Sequence, residues 1–243
     1  MNNIKRIVCL PPVNMKNPYQ HLMIEGLKKN KKLNIITGFS SRYIGIILSA
    51  IMYRPHYIHF DWINKYYLKK NIFISMLSIP WFFIQIIFIK KIMKIKVVWT
   101  MHNLFPHDSK QIQINKYVQN NFIKQCSWIR VFSKSTIPKV IKEFKSATEK
   151  IIAVPEGSYV NYYPDNITRN EAREKMGFSK EKIFLYLGTI KPYKGIINLI
   201  NAFSKIDNKN VKLMIVGKVM NSNYLTKINK NINNNNNINL VNK

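Results

Sequence analysis

The chain has 243 residues, enough for one large or two small domains. Lys and Arg number 39 against 11 Asp and Glu, a net charge of +28, so its partners are anions: nucleotide diphosphates, acidic lipid headgroups or nucleic acid. The two cysteines, Cys9 and Cys126, lie far apart with no ligand spacing, which speaks against a disulfide scaffold and a zinc site and fits a reducing cytosol.

Residues 1–10 are a short basic segment leading into one strand, with no secretory h-region or cleavage site. The strand covers 4–10 and stops at Pro11-Pro12. A helix over 19–29, a strand over 33–37 and a helix over 43–53 follow. The next strand, 57–60, ends in His59-Phe60-Asp61-Trp62. Residues 72–89 are eighteen mostly apolar positions between Lys69-Lys70 and Lys90-Lys91, just long enough to span a bilayer. Ser75, Ser78, Pro80 and Gln85 interrupt them, and they sit between two sheet strands, which points to a buried or interfacial helix. Strands at 96–101, 128–132 and 151–154 alternate with helices at 111–125 and 137–144. That alternation specifies a parallel, doubly wound α/β domain.

Residues 159–170 are polar, hold Pro164 and show no period; they read as a linker. A short helix at 170–176 ends at Gly177. Ile183-Phe184-Leu185-Tyr186-Leu187 then run without alternation, as a strand buried on both faces does. The loop Gly188-Thr189-Ile190-Lys191-Pro192-Tyr193-Lys194-Gly195 follows. Ile196, Leu199, Ile200 and Phe203 make one helical stripe, and 211–216 is the next strand. The order is strand, loop, helix, strand: a βαβ unit. After Val219 the chain turns Asn-rich, a composition that buries no core. The predicted organisation is a Rossmann-like domain over 1–160, the first part of a second over 161–230 and a low-complexity tail over 231–243.

The 188–195 loop leaves the carboxyl end of a parallel strand, where open α/β sheets bind ligands. It holds two lysines and feeds a helix N-terminus, which favours anions. A phosphate group is its natural guest, although the loop is neither a P-loop nor G-x-G-x-x-G. The Gly188 to Ile196 segment, followed by Leu199-Ile200-Asn201-Ala202-Phe203, resembles the donor-site loop of GT-B glycosyltransferases of the GT4 type. The resemblance implies that Lys194, beside Gly195 at the helix start, contacts the diphosphate of a nucleotide-sugar. Thr189 stands where many relatives have Arg after Gly188, which leaves Lys191 as the second cation.

A second segment, Thr100-Met101-His102-Asn103-Leu104-Phe105-Pro106-His107-Asp108, resembles the Thr-x-His-Asn-x-x-Pro-His stretch of bacterial polysaccharide glycosyltransferases. The 58–62 strand end resembles their His-x-His-Trp segment, with Asp61 in place of a His. Residues 154–159 resemble their Pro-His-Gly-x-Tyr turn, with Glu156 in place of His. The resemblance implies that His102 lies by the interdomain cleft near the transferred sugar, as the catalytic residue. The plain alternative is a histidine satisfied in its own loop. His102 and His107 lack zinc spacing, and no Asp-x-Asp occurs, so no metal is expected.

Together the segments, in family order from about residue 55 to 217, imply a metal-independent transferase. Its co-substrate is a nucleoside-diphosphate-sugar, bound at Gly188, Thr189, Lys191, Lys194 and Gly195. Its acceptor is a lipid-linked sugar or polysaccharide, reached from the cytoplasmic face of an anionic membrane. No nucleic-acid motif is present, so nucleic acid is not an expected partner. The family's acidic pair, which grips the donor ribose and sugar, has no counterpart after Gly217. The activity of so short a chain is therefore open, and two alternatives stand beside transfer: an inactive truncated remnant, or a membrane-associated partner of another transferase.

Overall fold

Apolar residues at every second position of four strands decide which way the first sheet faces. Val8 and Leu10, Ile58 and Phe60, Val97 and Trp99, Ile129 and Val131 all enter one core, whereas Cys9 points to the other side. The computed structural model describes residues 4–12, 18–105, 111–145, 149–233 and 235–242. It divides into two units, Met1–Tyr162 and Tyr163–Lys243.

The first unit holds β1 (Lys5–Leu10), α1 (Pro18–Lys28), β2 (Leu33–Thr37), α2 (Gly45–Tyr53), β3 (Tyr57–Phe60), α3 (Asn64–Tyr67), α4 (Ile72–Ile87), β4 (Lys96–Thr100), α5 (Ile112–Gln125), β5 (Trp128–Val131), α6 (Ile137–Glu143) and β6 (Ile151–Ala153). Its six strands run parallel in the order β2-β1-β3-β4-β5-β6. The order reverses at β1, so a crevice opens at the carboxyl ends of β1 and β3. On the larger core face Phe122 of α5 meets Phe60, Phe82 and Trp99 at ring distances of 5.5, 5.5 and 5.6 Å. Burying each such ring contributes about 1.5–3 kcal/mol. Ile24 of α1 covers the opposite face with Cys9 and Ile35.

α4 starts on Asn71, whose side chain caps the Phe73 amide, and runs through Pro80 into a wider π-turn at Phe88–Ile92. Ile72–Ile92 is long and apolar enough to cross a bilayer by length and composition. Ser75, Phe82, Gln85, Ile86 and Ile89 nevertheless face inward and are buried. Phe73 and Leu77 face solvent, 72% and 78% exposed.

The second unit holds α7 (Arg169–Lys175), β7 (Lys182–Leu187), α8 (Ile196–Phe203), β8 (Val211–Val216), α9 (Ser222–Ile232) and β9 (Ile238–Val241). Thr168 and Glu171 form a reciprocal capping box at the start of α7. The three strands are parallel in the order β7-β8-β9. Ile196, Ile200 and Phe203 of α8, with Tyr224 and Ile228 of α9, pack on Val211, Leu213, Ile215 and Ile238.

Two expectations are corrected here. The Asn-rich tail over 231–243 does build core: Ile238 is buried in β9, and Ile232 and Leu240 pack against the cluster. Its apolar residues are sparse but fall at strand and helix periods, with asparagines taking the caps and turns. β7 is not buried on both faces either. Leu185 and Leu187, 60% and 74% exposed, point away from the face on which α8 and α9 pack, and among the described residues only β8 pairs with this strand.

Candidate active site

The crevice of the first unit is built from three neighbouring strand ends. The Asp61 amide donates to Leu10 O at 2.8 Å, which ties the end of β3 to the end of β1. The Asp61 side chain is fully buried. Its Oδ2 accepts from Gln20 Nε2 at 2.9 Å, and its Oδ1 accepts from the Tyr19 hydroxyl at 3.3 Å. His102, two residues past β4, donates Nε2–H to Asp61 Oδ1 at 3.2 Å. The carboxylate thus fixes the imidazole's tautomer and leaves the lone pair on Nδ1. Trp62 stacks on the ring at 4.6 Å and 15°, and Tyr19 and Phe132 meet it edge-on at 4.9 and 5.2 Å. The His102 side chain is 17% exposed. A pocket of about 90 Å³ opens beside it, lined among others by Trp62, Asn64, Asn103 and Gln119.

Tyr19 is central to this arrangement. Its hydroxyl accepts from Arg130 Nη1 at 3.0 Å while donating to Asp61. Burial, then the Asp61 charge, pushes the phenol well above its ordinary range, so it stays a proton donor. Below it His59 Nε2 meets Thr100 Oγ1 at 2.8 Å, and burial pushes the His59 imidazole downward, toward the neutral form. Sequence reasoning named His102 but not Gln20, Tyr19 or Arg130, and it read Asp61 only as a departure from the family pattern. Pro106, His107 and Asp108 lie outside the described residues.

Cys9 sits behind this cluster, fully buried, and its thiol is pushed up to about 12 by burial and then by Asp61. Cys126 is buried too, and burial raises its thiol as well. Neither thiol reacts with iodoacetamide in the folded protein at pH 8, and both react in denaturant; mass spectrometry of the alkylated chain checks this. Rapid native labelling of Cys9 would show that the crevice is open behind Asp61. The raised thiol contributes stability that is complete below pH 9.0, its ordinary value, and is lost as pH rises from there toward 12.

In the second unit the 188–195 loop joins β7 to α8. Gly188 has φ 151° and Gly217, at the end of β8, φ 154°. The two backbones touch there: a Cβ on Gly217 would lie 1.8 Å from Gly188 O. The Gly188 amide donates to Val216 O and the Ile190 amide to Lys218 O, at 3.0 and 2.9 Å. Pro192–Lys194 make one 3₁₀ turn, in which the Lys194 and Gly195 amides bond back to Lys191 O and Pro192 O. Four of the loop's amides, those of Gly188, Ile190, Lys194 and Gly195, are therefore used by its own fold. The ready donors are the amides of 196–198, since the first bond of α8 runs from Leu199 N to Gly195 O. Gly195 turns the chain into α8 with φ 71°, a left-handed conformation that suits glycine.

Lys194 Nζ and Lys191 Nζ lie 5.2 and 5.8 Å from the centre of the Tyr193 ring. One aromatic side chain thus gathers both predicted cations at the start of α8. Thr189 lies on the same loop, and its carbonyl accepts from the Tyr186 hydroxyl at 3.0 Å. Beside the loop a pocket of about 440 Å³ is lined by Pro192, Gly195, Asn198, Asn221, Tyr224 and Lys227, among others. Asn221 caps α9 by accepting from the Tyr224 amide at 3.0 Å, so two helix N-termini border this pocket. The Asn221–Lys227 wall escaped the sequence reading; its signal was an Asn cap just after a strand-ending glycine. Among the described residues no three His, Cys, Asp or Glu side chains gather as a metal site.

Comparison with known proteins bears on both units. Residues 168–243 match the family described as Glycosyl transferases group 1. No curated protein matches the sequence. Among solved structures, a glycosyltransferase from Rickettsia africae is similar over 99% of this chain and 69% of its own, at 18% identity and a TM-score of 0.64. The Anabaena protein HepE, solved with UDP and glucose, is similar over 98% and 69%, at 14% identity and 0.60. S. aureus MnaA, in a co-structure with UDP, is similar over 98% and 68%, at 10% identity and 0.64. At such identities the likeness speaks for the fold. The chain therefore has the GT-B fold, and its residues 168–243 are similar to the family Glycosyl transferases group 1.

Proposed function

We propose that the chain transfers a sugar from a nucleoside-diphosphate-sugar to an acceptor hydroxyl. The observation that carries this is the pairing of Lys191 and Lys194 around Tyr193 at the open start of α8, inside the family-matched domain. In the transfer, the bond from the anomeric carbon to the diphosphate oxygen breaks and the acceptor oxygen bonds to that carbon. The acceptor hydroxyl loses its proton, and the departing diphosphate gains negative charge. The two ammonium groups and the 196–198 amides stabilise that charge where it develops. They take the place of a divalent cation, which makes the reaction metal-independent. UDP in the HepE and MnaA structures supports a uridine nucleotide as the donor's handle.

His102, oriented by Asp61 and stacked by Trp62, is the catalytic side chain of the first unit and hydrogen-bonds the transferred sugar. The acceptor is a lipid-linked sugar or a polysaccharide, and the protein works as a peripheral protein on the cytoplasmic membrane face. The exposed apolar side of α4 and the excess of cations support that placement.

A second reading, a non-catalytic partner of another transferase, is favoured by one observation. No carboxylate follows Asp207, so the part of the second unit from β8 onward offers none to hold the donor's ribose. One pair of measurements separates the readings. Calorimetric titration with UDP and UDP-glucose reports donor binding, and radiolabelled sugar carried into a lipid extract reports transfer. Binding with transfer supports the first reading, and binding without transfer the second. Absence of binding to both ligands would sink the first reading and leave the second, which needs no donor site.

A further inference from the structure

We propose that α2 and α4 form a built docking surface for an anionic lipid bilayer, on which the first unit lies flat without spanning. This deepens the membrane part of the functional reading and rests on it for the acceptor's location, though not on sugar transfer itself.

The surface has an apolar stripe. Phe73, Leu77, Pro80, Ile84 and Ile87 follow one another at three- and four-residue steps along α4 and are all exposed. A soluble helix of this length normally turns charged residues outward, and this one has none between Ile72 and Ile89. α2 packs against α4 and exposes Ile51 and Met52 of its own, with Ile44 exposed at its N-cap.

The charge around the stripe has one sign. From Arg42 to Lys94 the sequence holds eight Lys or Arg and a single carboxylate, Asp61. That carboxylate is buried in the crevice, fully committed to Tyr19, Gln20 and His102. No exposed negative charge from these elements opposes an anionic headgroup. Protein partners for such a helix would need a complementary acidic rim, whereas a bilayer supplies acid and hydrocarbon together.

The junction of α2 and α4 carries groups suited to the headgroup level. Trp81 Nε1 donates to Tyr43 O at 2.6 Å, which latches the helix to the loop before α2. Lys69 Nζ is buried against the Tyr43 ring, 4.6 Å from its centre, and holds that ring at the junction. Half-exposed Trp and Tyr with a cation beside them are the groups that settle where water meets hydrocarbon.

Spanning is excluded by what the helix holds on its inner side. Phe82, Ile86 and Ile89 belong to the core, with Phe82 against Tyr66, Tyr67 and Phe122. Drawing α4 into a bilayer would open that core to water. The helix start also follows the carboxyl end of β3, the end of the sheet that carries Asp61 and His102. Gln111 Nε2, just before α5, donates to Lys69 O at 2.9 Å on the same side. Docking there brings a membrane-held acceptor to the crevice.

The test is sedimentation of the full chain with vesicles of phosphatidylcholine alone, or of phosphatidylcholine with phosphatidylglycerol, at low and at molar salt. The expected result is binding that needs phosphatidylglycerol, weakens in molar salt and is released by alkaline carbonate. Lys70→Gln and Lys91→Gln change exposed residues and each lower vesicle affinity roughly fivefold. Phe73→Ser with Leu77→Ser lowers it at least about tenfold, with the thermal unfolding of the protein unchanged. Equal or absent binding to both vesicles overturns the proposal. So does retention after carbonate, which would mean a spanning helix. A lipid-free dimer that the Phe73/Leu77 pair dissolves overturns it as well, in favour of a second copy on this face. None of these readouts uses a nucleotide, so failure here leaves the transfer reading to its own titrations.

Discussion

Replacing Lys194 with Ala lowers nucleotide-sugar turnover roughly ten- to hundred-fold, the equivalent of one charge-assisted hydrogen bond of about 1.5–3 kcal/mol to the diphosphate. Lys194 is exposed at the end of the 3₁₀ turn and makes no ion pair among the described residues, so its removal leaves the fold intact. What it removes is one of two ammonium groups gathered on Tyr193, next to the α8 amides. Lys191 keeps the site cationic, which sets a ceiling on the loss. Removing both therefore costs more than the first alone, and Lys194→Arg restores part of the rate because the charge returns. The measurement is kcat/KM for the donor together with Kd for UDP at fixed salt. Unchanged values for Lys194→Ala would end the diphosphate role.

Gly217→Ala unfolds the second unit at denaturant concentrations where the parent is intact, with a loss of more than about 3 kcal/mol. Two causes add. The residue sits at φ 154°, which side-chain-bearing residues rarely adopt. The new methyl would also collide at 1.8 Å with Gly188 O, a backbone atom that cannot swing aside. To make room, the ends of β7 and β8 must part, and the bonds from Gly188 N to Val216 O and from Ile190 N to Lys218 O break. The 188–195 loop then loses its foundation. Urea unfolding followed by fluorescence and by circular dichroism should show the first unit's transition in place and the second's moved. An unmoved second transition would mean the two backbones are not in contact.

Much of the fold was written in local pattern. Ile58 to Phe60 and Val97 to Trp99 are short apolar runs between helical periods, and a parallel sheet is the arrangement that buries them. The Gly188 and Gly195 positions were legible because strand, loop and helix follow one another within a few residues. The Asp61–His102 pair was not, since the two residues stand 41 apart and meet only because β3 lies beside β4. Gln20 and Tyr19 reach the same carboxylate from α1, a packing result that no spacing encodes. Tail residues were missed for the opposite reason. Tyr224, Ile228 and Ile232 keep a helical step, and Ile238 and Leu240 a strand step, beneath a composition that suggests no order. β7 was misjudged because an apolar run says how a strand could be covered, whereas exposure depends on which neighbours are present.

That edge has a practical side. A parallel strand whose second edge has no partner among the described residues, and which offers Phe184, Leu185 and Leu187, is a template on which foreign strands add one after another, the growth step of fibrous aggregates. Lys182 is the one charged residue in the strand and sits at its first position, so it guards only the entry. The chain's large positive charge keeps molecules apart in dilute buffer, and that protection fades as salt screens it. Shelf life of the purified protein is thus a contest between salt and concentration, decided at three side chains of β7.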